Sequence, residues 1–170
     1  MSLPVDMGGN DLYVNNIYTG STAPGQLVQG GEEVAGTSIT TSTATLTSAQ
    51  SGTTIVLNRA AGSTVTLPTP IVGMDFTFVI GTALTSNAYK IITSAGTVFI
   101  SGGLYFDKAL TITRYDGNTS TIVSINLNGT TTGGATVGDT FNLVAVSPTQ
   151  WAVEGTVTAS GTLATPFATS

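Results

Sequence analysis

From Ala44 onward, apolar and polar positions alternate in short bursts broken by Gly, Ser, Asn or Pro: ATLTSA, TTIVLN, STVTLP and MDFTFVI follow one another in that order. A period of two sends successive side chains to opposite faces of a strand. Met74, Phe76, Phe78 and Ile80 therefore share one face, while Asp75, Thr77 and Val79 share the other. The series continues at Tyr89–Thr93, Val98–Ile100, Leu104–Phe106, Leu110–Tyr115, Thr121–Leu127, Asp139–Val146 and Trp151–Val157, which predicts about ten or eleven strands. No comparable stretch has a capped 3.6-residue period, so helix content is predicted to be low. Asp116-Gly117-Asn118 and Asn128-Gly129 read as tight turns, because Gly and Asn tolerate positive φ. Ser147-Pro148-Thr149-Gln150 reads as a four-residue hairpin loop, with Phe141, Leu143 and Ala145 on one face of the strand before it and Trp151 and Val153 on one face of the strand after.

These elements predict an all-β fold, a β-sandwich or jelly-roll-like domain over residues 42–170, preceded by an extended N-terminal arm over residues 1–41. Phe76, Phe78, Phe141, Leu143, Trp151 and Val153 are the predicted core. A weak internal likeness links STVTLPTPIVGMDFTFVI and TTGGATVGDTFNLVAV, each stepping through a glycine into a strand. The arm is rich in Gly, Asn, Pro and Ser. Its clusters Leu12-Tyr13-Val14 and Ile17-Tyr18 favour a segment that orders on a neighbour over a plain tail, with Leu12, Tyr13, Ile17 and Tyr18 as candidate capsid-contact residues.

Composition sharpens this picture. Only 8% of the 170 residues are charged, so the surface must be covered largely by hydroxyls and backbone. The four basic residues Arg59, Lys90, Lys108 and Arg114, in a chain of net charge −5, cannot lay a basic stripe along a row of phosphates, and nucleic acid is not an expected partner. The opening MSLPVDMGGNDLYV has neither a basic nor an apolar leader region and no long apolar run follows, so neither secretion by a leader nor a membrane partner is expected.

The chemistry-bearing residue types point the same way. Without His or Cys the usual base of a hydroxyl nucleophile, thiol catalysis and Cys- or His-ligated metals are all missing, and no phosphate-binding glycine motif opens a helix. Paired carboxylates are the remaining catalytic route. Glu32 and Glu33 read as solvated charges of the arm, and Asp107 with Asp116 reads as a surface ion network with Lys108 and Arg114. Asp6, Asn10 and Asp11 lie near glycines but match no calcium-loop spacing. Neither an enzyme nor a cofactor or metal is expected. Trp151, the sole tryptophan, reads as a core plug, and Tyr89, Tyr105 and Tyr115 as candidates for an exposed contact face or a half-buried rim.

At YKIITSAGTVFI, NLNGTTTGGATVGDTFNLVAVSPTQWAVEGTV and the closing GTLATPFATS the sequence resembles the small β-rich capsid decoration, or cement, proteins of tailed bacteriophages, including those infecting cyanobacteria. The resemblance covers roughly residues 44–170. It implies a sandwich or jelly roll, often trimeric, seated on the outer surface of the virion capsid with the major capsid protein and further copies of itself as partners. It carries over no catalytic residue, and it makes Phe141, Leu143, Trp151 and Val153 scaffold. The competing expectation is a receptor- or glycan-binding module of a phage fibre or tail, which calls for a concave patch of aromatics and amides, an exposed Trp151, or a groove joining Tyr89, Tyr105 and Tyr115.

Overall fold

The computed structural model describes residues 36–108, 111–118 and 120–170. Strands β1 (Thr37–Ile39), β2 (Thr43–Thr45), β3 (Thr53–Leu57), β4 (Ser63–Thr66), β5 (Asp75–Ile80) and β6 (Tyr89–Ile92) alternate between two sheets. They are followed by β7 (Phe99–Lys108), β8 (Thr111–Gly117), β9 (Ser124–Leu127), β10 (Thr140–Ser147), β11 (Gln150–Thr158) and β12 (Phe167–Ala168). Sheet A has the order β1-β3-β5-β10-β11-β7-β8 and sheet B the order β12-β9-β6-β4-β2. Both are mixed. The pairs β1–β3, β3–β5, β2–β4, β4–β6 and β7–β11 are parallel, so the first six strands wind as a flattened coil that gives one strand per turn to each sheet. A jelly roll is an antiparallel Greek-key design, and of the two anticipated arrangements the chain adopts the sandwich. Among the described residues the one helical element is the short 3₁₀ turn Ser48–Gln50.

The alternation read from the sequence becomes rows of side chains across the sheets. Thr37, Ile55, Phe78, Phe141, Gly155, Leu104 and Tyr115 are successive register partners through all seven strands of sheet A. Ala44, Val65, Ile91, Ile125 and Phe167 do the same in sheet B. The apolar members of these rows belong to, or pack against, a single buried cluster containing all six predicted core residues. The Phe78 and Phe141 rings stack at 5.0 Å, and Phe76 meets Trp151 at 5.8 Å. Burial of such side chains contributes roughly 1.5–3 kcal/mol each, which makes these cross-sheet rows the main source of stability.

Tyr89 departs from the sequence reading of three tyrosines on an exposed contact face or a half-buried rim. It is fully buried, and its hydroxyl accepts the Arg59 N–H at 3.0 Å while the Leu57 and Thr82 carbonyls lie 3.0 and 2.8 Å away as acceptors. That hydroxyl ties sheet B to the end of β3, and burial pushes its pKa up. Tyr115 faces inward and meets Phe106 edge-on at 5.3 Å. Tyr105 alone of the three is exposed.

Several boundaries differ from the alternation pattern. The turn expected at Asp116-Gly117-Asn118 is strand through Gly117, since Asp116 and Gly117 pair with Gly103 and Gly102 of β7. Residues 37–39, placed in the arm by their Thr/Ser-rich composition, form β1 in register with β3. Val98–Ile100 and Leu104–Phe106 are not two strands but one, because Gly102 adopts φ 91° and lets the β7 backbone run close against Val153 without a turn. The expected four-residue loop shrinks to Pro148-Thr149, since Ser147 pairs with Gln150 and the register slip is absorbed by a bulge at Val146. The internal likeness has a local basis: β5 and β10 are antiparallel neighbours, each entered through a turn with a glycine at its third position (Gly73 φ 90°, Gly138 φ 96°). The Gly73 N–H donates to Ala145 O and the Gly138 N–H to Ile80 O, a two-fold relation confined to the turns and the strands after them.

Candidate functional site

The inward faces are consumed by the core, which leaves the outward faces of both sheets for surface chemistry; that of sheet A carries a concavity. Across that face, Thr54, Thr77, Asn142, Glu154, Gly103 and Asp116 are successive register partners from β3 to β8. Gly103 breaks this polar row. A Cβ there would lie 2.5 Å from Arg114 Nε and 2.6 Å from Asp116 Oδ1, so only glycine lets those two side chains lie flat on β7, and Gly103 is buried beneath them. They form an ion pair at 2.7 Å, half exposed, which is worth little to stability but fixes the guanidinium. The Arg114 guanidinium also sits 5.6 Å from the centroid of the Tyr105 ring, its neighbour on β7.

Where Gly103 and Ala152 leave the sheet low, a concavity of ≈ 460 Å³ opens, edged by Tyr105 and Arg114 on one side and by Asn142 and Glu154 on the other. Asn142 Oδ1 is buried there and has no hydrogen-bond partner among the described residues. Of this set the sequence singles out Tyr105 as a candidate contact residue and Arg114 and Asp116 as ion-network members, but not Asn142 or Glu154. Polar residues at alternate positions of β10 and β11 were visible. Nothing local shows that β11 lies beside β7, some fifty residues away in sequence.

The expected ion network is smaller than anticipated. Asp107 pairs with Ile112 and Asp116 with Gly103, four positions apart on β7, which separates the two carboxylates by about 13 Å along the strand. That is beyond the roughly 5–9.5 Å of a glycosidase pair. Lys108 takes no part, its Nζ donating instead to Gly161 O. Trp151 is fully buried, as a core plug requires. Among the described residues no three His, Cys, Asp or Glu side chains converge as metal ligands, and no helix is long and apolar enough to cross a membrane. Leu12, Tyr13, Ile17 and Tyr18, with Asp6, Asn10, Asp11, Glu32 and Glu33, lie outside the described residues.

A second surface feature lies at one end of sheet A. Ile71 and Val72 are 62% and 65% exposed in the turn before β5, and Gly73 beside them is bonded to Ala145, the residue before the exposed, bulged Val146. Pro148 follows in the same hairpin, also exposed. This end of the sheet therefore carries an apolar tip.

Asp139, at the entrance to β10, is a carboxylate whose titration is displaced. Burial pushes its pKa above the ordinary carboxylate value, opposed by the Thr158 N–H and hydroxyl that donate to Oδ2 at 2.6 and 2.9 Å. A raised folded-state pKa means the folded chain holds this proton more tightly than the unfolded chain. Its contribution is full below the ordinary value of 3.8 and is lost as pH rises through the folded-state pKa. The Asp139→Asn variant is therefore expected to lose less stability than the parent between acid and neutral pH, measured by urea midpoints across that range. Identical pH slopes would show that Asp139 titrates as a free carboxylate.

No protein-family model, curated protein or solved structure matches the chain, so a functional reading rests on these surfaces.

Proposed function

We propose that this chain is a structural virion protein that binds the outer surface of a phage capsid and stabilises contacts between neighbouring capsomers. The observation that carries the reading is the clustering of Ile71, Val72, Val146 and Pro148 into an apolar tip on a charge-poor surface, on which the other strongly exposed aliphatics, Ile112 and Val137, lie on other elements. Exposed apolar groups clustered at one end of a rigid sandwich mark a protein contact, and short Thr and Ser side chains around them lose little rotamer entropy when covered. The resemblance to decoration proteins supplies the class of partner, the major capsid protein, with self-association into a trimer. Ion pairs contribute little to such a trimer, because four basic residues per chain cannot build an extensive ion-pair interface. The fibre-module alternative called for a concave patch of aromatics and amides, an exposed Trp151 or a groove joining three tyrosines; a concavity edged by Tyr105 and Asn142 does lie on the outward face of sheet A, but the tryptophan and three-tyrosine criteria fail. Trp151 and Tyr89 are both fully buried.

The test pairs a surface variant with a binding assay. Ile71→Asp with Val72→Asp should leave the melting temperature within a few degrees of the parent, because both side chains are solvent-facing, yet reduce occupancy on undecorated capsids by about tenfold or more. Sedimentation equilibrium of the parent should show a trimer unchanged by added salt. A double variant that decorates as fully as the parent, or a parent that ignores capsids, would reject the assignment.

A further inference from the structure

We propose that the concavity on the outward face of sheet A is a binding site for a neutral saccharide, independent of the apolar tip. Its volume, ≈ 460 Å³, is that of a small-ligand pocket. Its walls come from β7, β8, β10 and β11 of one sheet, so the polar groups are held in place before any ligand arrives.

The chemistry selects hydroxyl groups. Asn142 Oδ1 is buried at the site without a partner, and leaving such an atom unpaired costs about 1–3 kcal/mol. A ligand hydroxyl both donates and accepts, so it satisfies the Asn142 amide whichever way the amide is turned. Glu154, the register neighbour of Asn142, is an exposed carboxylate that only accepts and therefore calls for donors. Arg114 provides the complementary donors, since its pairing with Asp116 leaves further guanidinium N–H groups free to reach ligand oxygens. Tyr105, 37% exposed and steadied by Arg114, stands at the rim as an apolar surface for the C–H face of a sugar ring.

Charge excludes the nearest competitors. Asp116 already balances Arg114, which leaves the Glu154 carboxylate without a cation in the cavity, and Asp75 and Asp107 add negative charge to the same face. Phosphorylated, sulfated or sialylated ligands would meet net negative charge. An apolar occupant would strip water from Glu154 and Asn142 without replacing its hydrogen bonds.

The experiment applies the full chain to an immobilised array of neutral and acidic oligosaccharides, alongside Tyr105→Ala, Asn142→Leu and Glu154→Gln. Retention on neutral glycans is expected, weakened by about tenfold or more in Tyr105→Ala and Asn142→Leu, with melting temperatures close to the parent. Because Glu154 is exposed and its glutamine replacement keeps the side-chain shape, that variant reads the site even where the other two unfold, and it too should bind more weakly. The proposal is overturned if no neutral glycan is retained, if retention is confined to acidic glycans, or if every folded variant binds as well as the parent.

Discussion

Trp151→Ala is expected to lower the stability of the domain by about 3–5 kcal/mol, the largest effect of any single truncation in the core. Trp151 is fully buried on β11, in register with Ile100 on β7 and Ala145 on β10, and packed against Phe76 at 5.8 Å. It therefore fills the space where three strands meet, and neighbours anchored in two hydrogen-bonded ladders cannot close the void left by an indole. Trp151→Phe should cost less, for a reason beyond volume. The indole Nε1 is buried with no hydrogen-bond partner among the described residues, so removing it also removes an unsatisfied donor. Chemical denaturation of both variants checks this ordering, and an alanine variant as stable as the parent would mean that the site collapses or that the ring is not buried.

Gly102→Ala is the second large effect, expected at about 2–4 kcal/mol from backbone strain together with steric conflict. Gly102 has φ 91°, a region L-residues rarely adopt, and a Cβ there would lie 2.2 Å from Val153 O. The neighbouring atom is backbone held in the β7–β11 ladder, so neither partner can swing away. Gly73 is the control. Its φ is 90°, but a Cβ meets nothing within 4 Å, so Gly73→Ala should show the conformational cost alone, about 1–2 kcal/mol. If the two variants melt together, the approach of β7 to β11 is looser than described.

The strands that read clearly were those whose alternation is strict. Phe76, Phe78, Phe141 and Leu143 lie on faces that could be assigned from spacing alone, and all four are in the core. The pair Gly102-Gly103 was ambiguous because the same residues that permit a turn also permit two backbones or a flat ion pair to come close. Tyr89 shares the face of buried Ile91 on β6, whereas Tyr105 lies on the face of β7 opposite buried Leu104 and Phe106, so strand parity decides that one is buried and the other exposed. Strand order was not legible, since a parallel partner such as β11 for β7 is fixed by the packing of the whole sheet and not by any local signal. For the same reason the concavity could not be read from sequence: Arg114, Gly103, Glu154 and Asn142 come from four strands that only the finished sheet aligns.

The hairpin of β10 and β11 is inserted between β5 and β7, strands that precede it in the chain. During synthesis, everything up to Gly138 leaves the ribosome before either strand of that hairpin has formed. The interval from β5 to β7 must stay open until residues 140–158 arrive, and sheet B still awaits β12 at Phe167–Ala168. The nascent chain consequently carries the open edges of β5 and β7 until residues 140–158 have been made, so sheet A is completed by an insertion at its centre and not by rung-by-rung accumulation.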